Sequence, residues 1–121
     1  MKPRREIADY LRDILDAIQK IERFIGGMDF AQFAADEKTV FAVIRGLEIV
    51  GEAARNVPKV VQGRYPTVPW REMMGIRDKL AHGYFRVNLQ VVWKTIQEDL
   101  PGLRVQVNRA LADMTREKGH A

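Results

Sequence analysis

Ile7, Tyr10, Leu11, Ile14, Leu15, Ile18, Ile21 and Ile25 recur every three to four residues, and Gly26-Gly27 ends the run. An α-helix turns once in about 3.6 residues, so this spacing draws one continuous apolar stripe along a helix. A strand would scatter the same side chains over both faces. A helix this apolar on one side has to bury that side against other elements. The chain supplies them. Val40, Val43, Ile44, Leu47, Val50, Ala54 and Val57 form a broad apolar face between Asp36 and Pro58. Phe41, Arg45, Glu48, Glu52 and Arg55 lie opposite, where charges can pair along the helix. Asn88 can cap a last helix whose seam is Leu89, Trp93, Ile96, Leu100, Leu103, Val107, Ala110 and Met114.

Shorter signals join these helices. Pro3 suits a helix start, and Asp29 suits the cap of a short turn through Phe30, Gln32 and Phe33. Pro58 to Pro69 reads as a broken connection with one helical turn before Gly63, and Thr67 is the expected cap of the helix that follows. Pro101 is expected to kink the last helix or mark its restart. No segment alternates with the period of a strand. The expected architecture is all-α, an antiparallel bundle of four to five helices. It is expected to form one domain over residues 1–115, with a frayed polar tail over residues 116–121.

A chain of 121 residues with 46% apolar and 30% charged side chains fits a single soluble domain. It has no cysteine, which excludes disulfides and thiolate metal sites and favours a cytoplasmic address. No apolar run approaches the ~20 residues of a membrane span, and Met-Lys-Pro-Arg-Arg lacks a signal-peptide core. The net charge of +4 permits a nucleic-acid partner without demanding one.

The chemistry concentrates in Arg77-Asp78-Lys79-Leu80-Ala81-His82-Gly83-Tyr84. Trp70, Met73, Met74, Ala81 and Tyr84 recur at the spacing of one helix face, and Arg77 falls on that face. A guanidinium keeps its charge, so a dry core is a costly place for it. Trp70, Met73 and Met74 are candidates for core or interface, with core expected. Gly75 suggests close backbone packing. His82 is one of only two histidines, and the other, His120, sits in the polar tail. An imidazole titrates near neutrality and can move protons. Asp78, four residues earlier, can fix its tautomer if the helix reaches that far. Arg77 can neutralise a phosphate and the charge that develops on it. Positions five apart stand about 140° apart around a helix, so Arg77 and His82 need a distorted helix end or a ligand reached from two sides. On spacing alone, the ordinary reading of His82 is a cap stabilised by the helix dipole.

The wider sequence changes that weighting. Arg77-x-x-x-x-His82-x-Tyr84 resembles the signature of the HepT-like toxins, a branch of the HEPN ribonucleases. Asp9-Tyr10-Leu11-Arg12-Asp13-Ile14 is similar to their opening helix, and Leu47-Glu48-Ile49-Val50-Gly51-Glu52-Ala53-Ala54 to their second-helix signature. Pro69-Trp70 and Met74-Gly75-Ile76-Arg77-Asp78 resemble their approach to the active site, and the likeness runs from about Arg4 to Met114. It implies a metal-independent RNA endonuclease without cofactor, in which Arg77 and His82 are the catalytic pair and Asp78 supports them. It also implies a homodimer, with two Arg77–His82 segments around one cleft. Transesterification uses both a base and an acid, and each chain offers one good candidate.

The implied partners are RNA and a nucleotidyltransferase antitoxin of the MntA type, which attaches AMP to Tyr84. Neither DNA nor a membrane is an expected partner. A competing reading makes the bundle a non-catalytic interaction or nucleotide-binding subunit of a nucleotidyltransferase, with Arg77 and His82 structural. A helix-turn-helix DNA regulator fits less well, because the Trp70–Tyr84 segment is too rich in large apolar residues for a polar recognition helix.

Overall fold

The computed structural model describes residues 5–81 and 88–119, and of Arg77, Leu80, Ala81 and residues 117–119 the backbone alone. Several helices begin where the sequence offers a side chain to the first free N–H groups. Helix α1 (Ile7–Ile25) opens with the Glu6 N–H donating to Asp9 Oδ2 at 2.9 Å. Helix α2 (Phe30–Ala35) carries a reciprocal box: Asp29 Oδ1 accepts from the Gln32 N–H at 2.8 Å, and Gln32 Oε1 accepts from the Asp29 N–H at 3.0 Å. Helix α3 (Glu37–Arg55) is capped by Asp36, whose Oδ1 accepts from the Thr39 N–H at 3.0 Å. Helix α4 (Lys59–Arg64) follows Pro58, and α5 spans Trp70–Ala81. Asn88 caps α6 (Leu89–Lys94) through the N–H groups of Gln90 and Val91. A π-helical turn (Thr95–Asp99) joins α6 to α7 (Leu100–Gly119).

The result is an all-α bundle, with no strand among the described residues. Helix α3 packs between α1 and α5, and the other flank of α1 packs on α7. Leu11, Ile14, Ile18 and Ile21 of α1 are completely buried against Val43, Leu47 and Val50 of α3 and Leu100 and Val107 of α7. Each such side chain contributes about 1.5–3 kcal/mol. The exposed ion pairs, such as Arg12–Asp9 at 3.2 Å and Arg104–Glu22 at 3.3 Å, contribute about 0–1 kcal/mol each. Apolar packing therefore decides the fold. Helix α2 is fastened by aromatics, with Phe33 tilted against Trp93 at 5.2 Å and Phe30 meeting it edge-on at 6.2 Å.

The last helix shows what Pro101 does. The proline has no N–H to donate, and its ring crowds the carbonyl one turn back. The ladder changes register just before it: the Leu100 N–H donates to Thr95 O, a five-residue step, and the α-ladder restarts from there. The Thr95 hydroxyl bonds Val91 O at 2.9 Å. The helix is thus re-registered at Pro101 rather than ended. Its backbone stays helical to Gly119, past the boundary at residue 115 that the apolar pattern suggests. At the other end of the connection, Pro69 O accepts the Met73 N–H at 3.1 Å, so α5 opens on Pro69, and Thr67 lies too early to cap it.

Gly46 lets α1 pack closely on α3. A Cβ there would lie 2.7 Å from Ile21 Cγ1 and 2.8 Å from its Cδ1, and Ile21 is fully buried. Gly46→Leu should force the two helices apart and lower stability by about 1–3 kcal/mol, net of any gain in helix propensity. A chemical-denaturation midpoint equal to that of the wild type would show that the contact relaxes at no cost.

Hydrogen bonds from Thr39 hold the half-buried Asp36 carboxyl below the ordinary aspartate value. A depressed folded-state pKa gives stability that is present above the unfolded value and is lost as pH falls through the folded one. Asp36→Asn keeps an equally good cap without a titrating group. In acid titrations followed by circular dichroism, the wild type should lose its advantage over Asp36→Asn below about pH 4.

Candidate active site

Helix α5 is the platform. Trp70 anchors its first turn: the ring is buried, and its Nε1–H donates to Tyr65 O at 3.0 Å. Met73 is completely buried and Ile76 nearly so, and this face rests on α3. The buried arc is therefore Trp70, Met73 and Ile76, whereas Met74 is half-buried. The spacing-based stripe left out Ile76 and placed Met74 fully on the apolar face. Helical register sets the Arg77 backbone between the directions of Trp70 and Met73, within the span of the buried arc and near its Trp70 end. Gly75 does not mark a close approach, since a Cβ there would meet nothing within 4 Å.

Asp78 stands exposed on α5, one position after Arg77. With Met74 it forms one wall of a groove of about 460 Å³; the end of α3 and the start of α4 form the other, with Arg55, Pro58 and Lys59. The groove is held in shape by Gln62, whose Nε2 donates to Val57 O at 2.9 Å and to Ala54 O at 3.5 Å, closing the free carbonyls at the end of α3. Arg55 and Lys59 are exposed. Glu52, one turn before Arg55, does not pair with it, although Arg45 and Glu48 on the same helix do at 3.0 Å. The pairing expected along the α3 surface is therefore realised at its middle. Arg55 and Lys59 were not singled out as site residues by the sequence, because nothing in it says that the α3–α4 corner abuts α5.

His82 and Tyr84, two of the residues singled out by the sequence, lie outside the described residues, and Arg77 is placed by its backbone alone. Among the described residues, no three His, Cys, Asp or Glu side chains gather closely enough to hold a metal ion. No helix among them is long and apolar enough to cross a membrane.

Comparison with known proteins places this arrangement. The family model described as ribonuclease HepT-like matches residues 14–110, from the middle of α1 to about the middle of α7. A protein named "Probable ribonuclease HepT" from Thermococcus cleftensis is 50% identical over 101 residues, 84% of this chain and 92% of its own length. A "Putative RNase" of Methanocaldococcus jannaschii is 37% identical over 112 residues, 93% of this chain and 97% of its own. Another of that name, from Caldanaerobacter subterraneus, is 40% identical over 102 residues, 84% of this chain and 91% of its own. No solved structure matches the chain. The matched span contains the whole of α5 and the Arg77-x4-His82-x-Tyr84 signature, and the chain belongs to the ribonuclease HepT-like family.

Proposed function

We propose that this protein is a metal-independent RNA endonuclease, the toxin of a type VII toxin–antitoxin pair. The observation that carries the reading is the family match across residues 14–110, with Arg77, His82 and Tyr84 at the signature spacing inside it. The RNA 2′-hydroxyl attacks the neighbouring phosphate. A P–O2′ bond forms and the P–O5′ bond breaks. One proton leaves the 2′-oxygen and one reaches the departing 5′-oxygen. Imidazole suits both transfers, as a neutral base and as a charged acid. A guanidinium meets two phosphate oxygens at once and stabilises the extra charge on the pentavalent phosphorus. Asp78 supports His82 by favouring its charged form.

One chain brings a single histidine to the signature, and a second protomer would bring another, so that one cleft has both a base and an acid. The reading therefore includes a homodimer whose Arg77–His82 segments face each other across the two-fold axis. An MntA-type nucleotidyltransferase is the antitoxin, and Tyr84 is the residue that takes its AMP. The decisive experiment is digestion of RNA in EDTA by the wild type and by His82→Ala. Cleavage by the wild type alone supports the reading. Cleavage that EDTA stops, or full activity in His82→Ala, would leave a helical subunit that only binds a nucleotidyltransferase.

A further inference from the structure

The groove between α5 and the α3–α4 corner has the chemistry of a nucleotide subsite. Its volume of about 460 Å³ lies within the ~300–1,000 Å³ of small-ligand sites. One side carries Arg55 and Lys59, both exposed and neither paired with a carboxylate among the described residues. Val57, Pro58 and Met74 add apolar surface to its lining. Asp78 stands at the α5 side, engaged with a group of its own. A carboxylate has about four acceptor positions, so it can still take one more donor.

Groups of these kinds suit one nucleotide of a single strand: two cations for backbone phosphates, apolar surface for the flat of a base, and a carboxylate to accept from a ribose hydroxyl. Accepting from a 2′-hydroxyl is a way to tell RNA from DNA. Met74 and Asp78 bracket Arg77 along α5, so the groove lies beside the stretch of helix that carries the signature arginine.

We infer that this groove binds the RNA nucleotide adjoining the cleaved bond, with Arg55 and Lys59 as phosphate contacts and Asp78 as a ribose contact. This rests on the ribonuclease reading above and adds the track by which substrate reaches the site. Exposed cations of this kind give affinity that salt weakens, by about 0.7 in the log–log slope for each phosphate contacted on a single strand.

The test uses a fluorescein-labelled single-stranded RNA oligonucleotide, with anisotropy measured on full-length protein carrying His82→Ala so that nothing is cut. Adding Arg55→Ala and Lys59→Ala together should weaken binding roughly ten-fold or more and lower the salt slope by about 1.4. In the cleaving protein, the same pair should raise KM much more than it lowers kcat. Arg12→Ala with Lys20→Ala removes equal charge from the exposed side of α1 and should change Kd and slope little. Circular dichroism and Tm confirm folding for each variant.

The groove assignment is overturned if the Arg55/Lys59 variant binds with wild-type Kd and slope while the wild type binds and cuts RNA. It is equally overturned if the α1 pair weakens binding as much, since net charge alone would then account for the effect. Unchanged RNA binding with lost affinity for a purified nucleotidyltransferase would assign the groove to a protein partner instead. A wild type that neither binds nor cuts RNA removes the ribonuclease reading and this inference together.

Discussion

His82→Ala and Arg77→Ala will each abolish RNA cleavage and cellular toxicity while leaving a folded helical protein. Removing a positioned acid or base costs about 10²–10⁴ in rate, and removing a cation that meets transition-state charge costs about 10²–10³. Neither change deletes a large apolar group, so the Tm should move by no more than a few degrees. Arg77→Lys separates charge from geometry. A lysine keeps the positive charge but loses the two-pronged fork that fits a phosphate, so it should recover only part of the activity. EDTA should leave the wild type unaffected.

The mixed dimer sharpens the same prediction. If one cleft needs two histidines, an equal mixture of wild type and His82→Ala, fully exchanged, keeps activity only in wild-type pairs. That is about a quarter of the total, whereas independent sites would keep about half. A result near one half would separate the two sites and remove the need for a composite cleft, while leaving the catalytic pair in place.

The helices were legible because their signals are local. The isoleucine and leucine stripe of α1 predicts Leu11, Ile14, Ile18 and Ile21 as core, and all four are completely buried. Asp29 and Asn88 cap the helices that follow them, since each cap needs only its own next three residues. Pro101 announces a disturbance that takes the form of the π turn. What escaped the sequence depends on a second element. Gly46 looks like any helix glycine until Ile21 of α1 is set against it. Gly75 invites the same reading and meets nothing. On α5 the periodicity admits two neighbouring arcs, and only packing on α3 chooses the one through Ile76. Thr67 is the better cap by residue type, yet the turn from Tyr65 to Val68 delivers Pro69 to the helix start.

The family was legible in a different way. Spacing alone favoured an ordinary histidine cap and set Arg77 and His82 far apart around an ideal helix. Four separated segments in the right order pointed instead to a family, and the family match over residues 14–110 bears that out. Arg55 and Lys59 carry no such signature. They end one helix and begin the next, and only the corner at Pro58 turns them toward Met74 and Asp78.

Tyr84→Phe should produce a toxin that cuts RNA yet escapes its antitoxin. The tyrosine stands two residues after His82 in the signature, and from periodicity alone it is a packed aromatic closing the α5 stripe. A phenol is also a nucleophile for nucleotidyl transfer: its oxygen loses its proton and attacks the α-phosphorus of ATP, a P–O bond forms, the bond from that phosphorus to the bridging oxygen breaks, and pyrophosphate leaves. Under the proposed function, such a product would silence the toxin without any change of fold. Each AMP would add a phosphodiester charge and a bulky nucleoside two residues along the chain from His82. Because it is tethered, its phosphate would compete for Arg77 at an effective concentration that free RNA does not match. Tyr84→Phe removes only the hydroxyl, so packing and cleavage should persist. Co-expression of wild-type protein with the nucleotidyltransferase should give AMP-sized mass additions on the peptide that contains Tyr84, together with loss of ribonuclease activity. The Phe variant should show neither and remain toxic with the antitoxin present. Additions on a different residue, or a Phe variant still silenced through modification, would move the control point away from Tyr84. A Phe variant silenced without any mass change would make the antitoxin a steric blocker, and the groove beside Asp78 would then be the first surface to test.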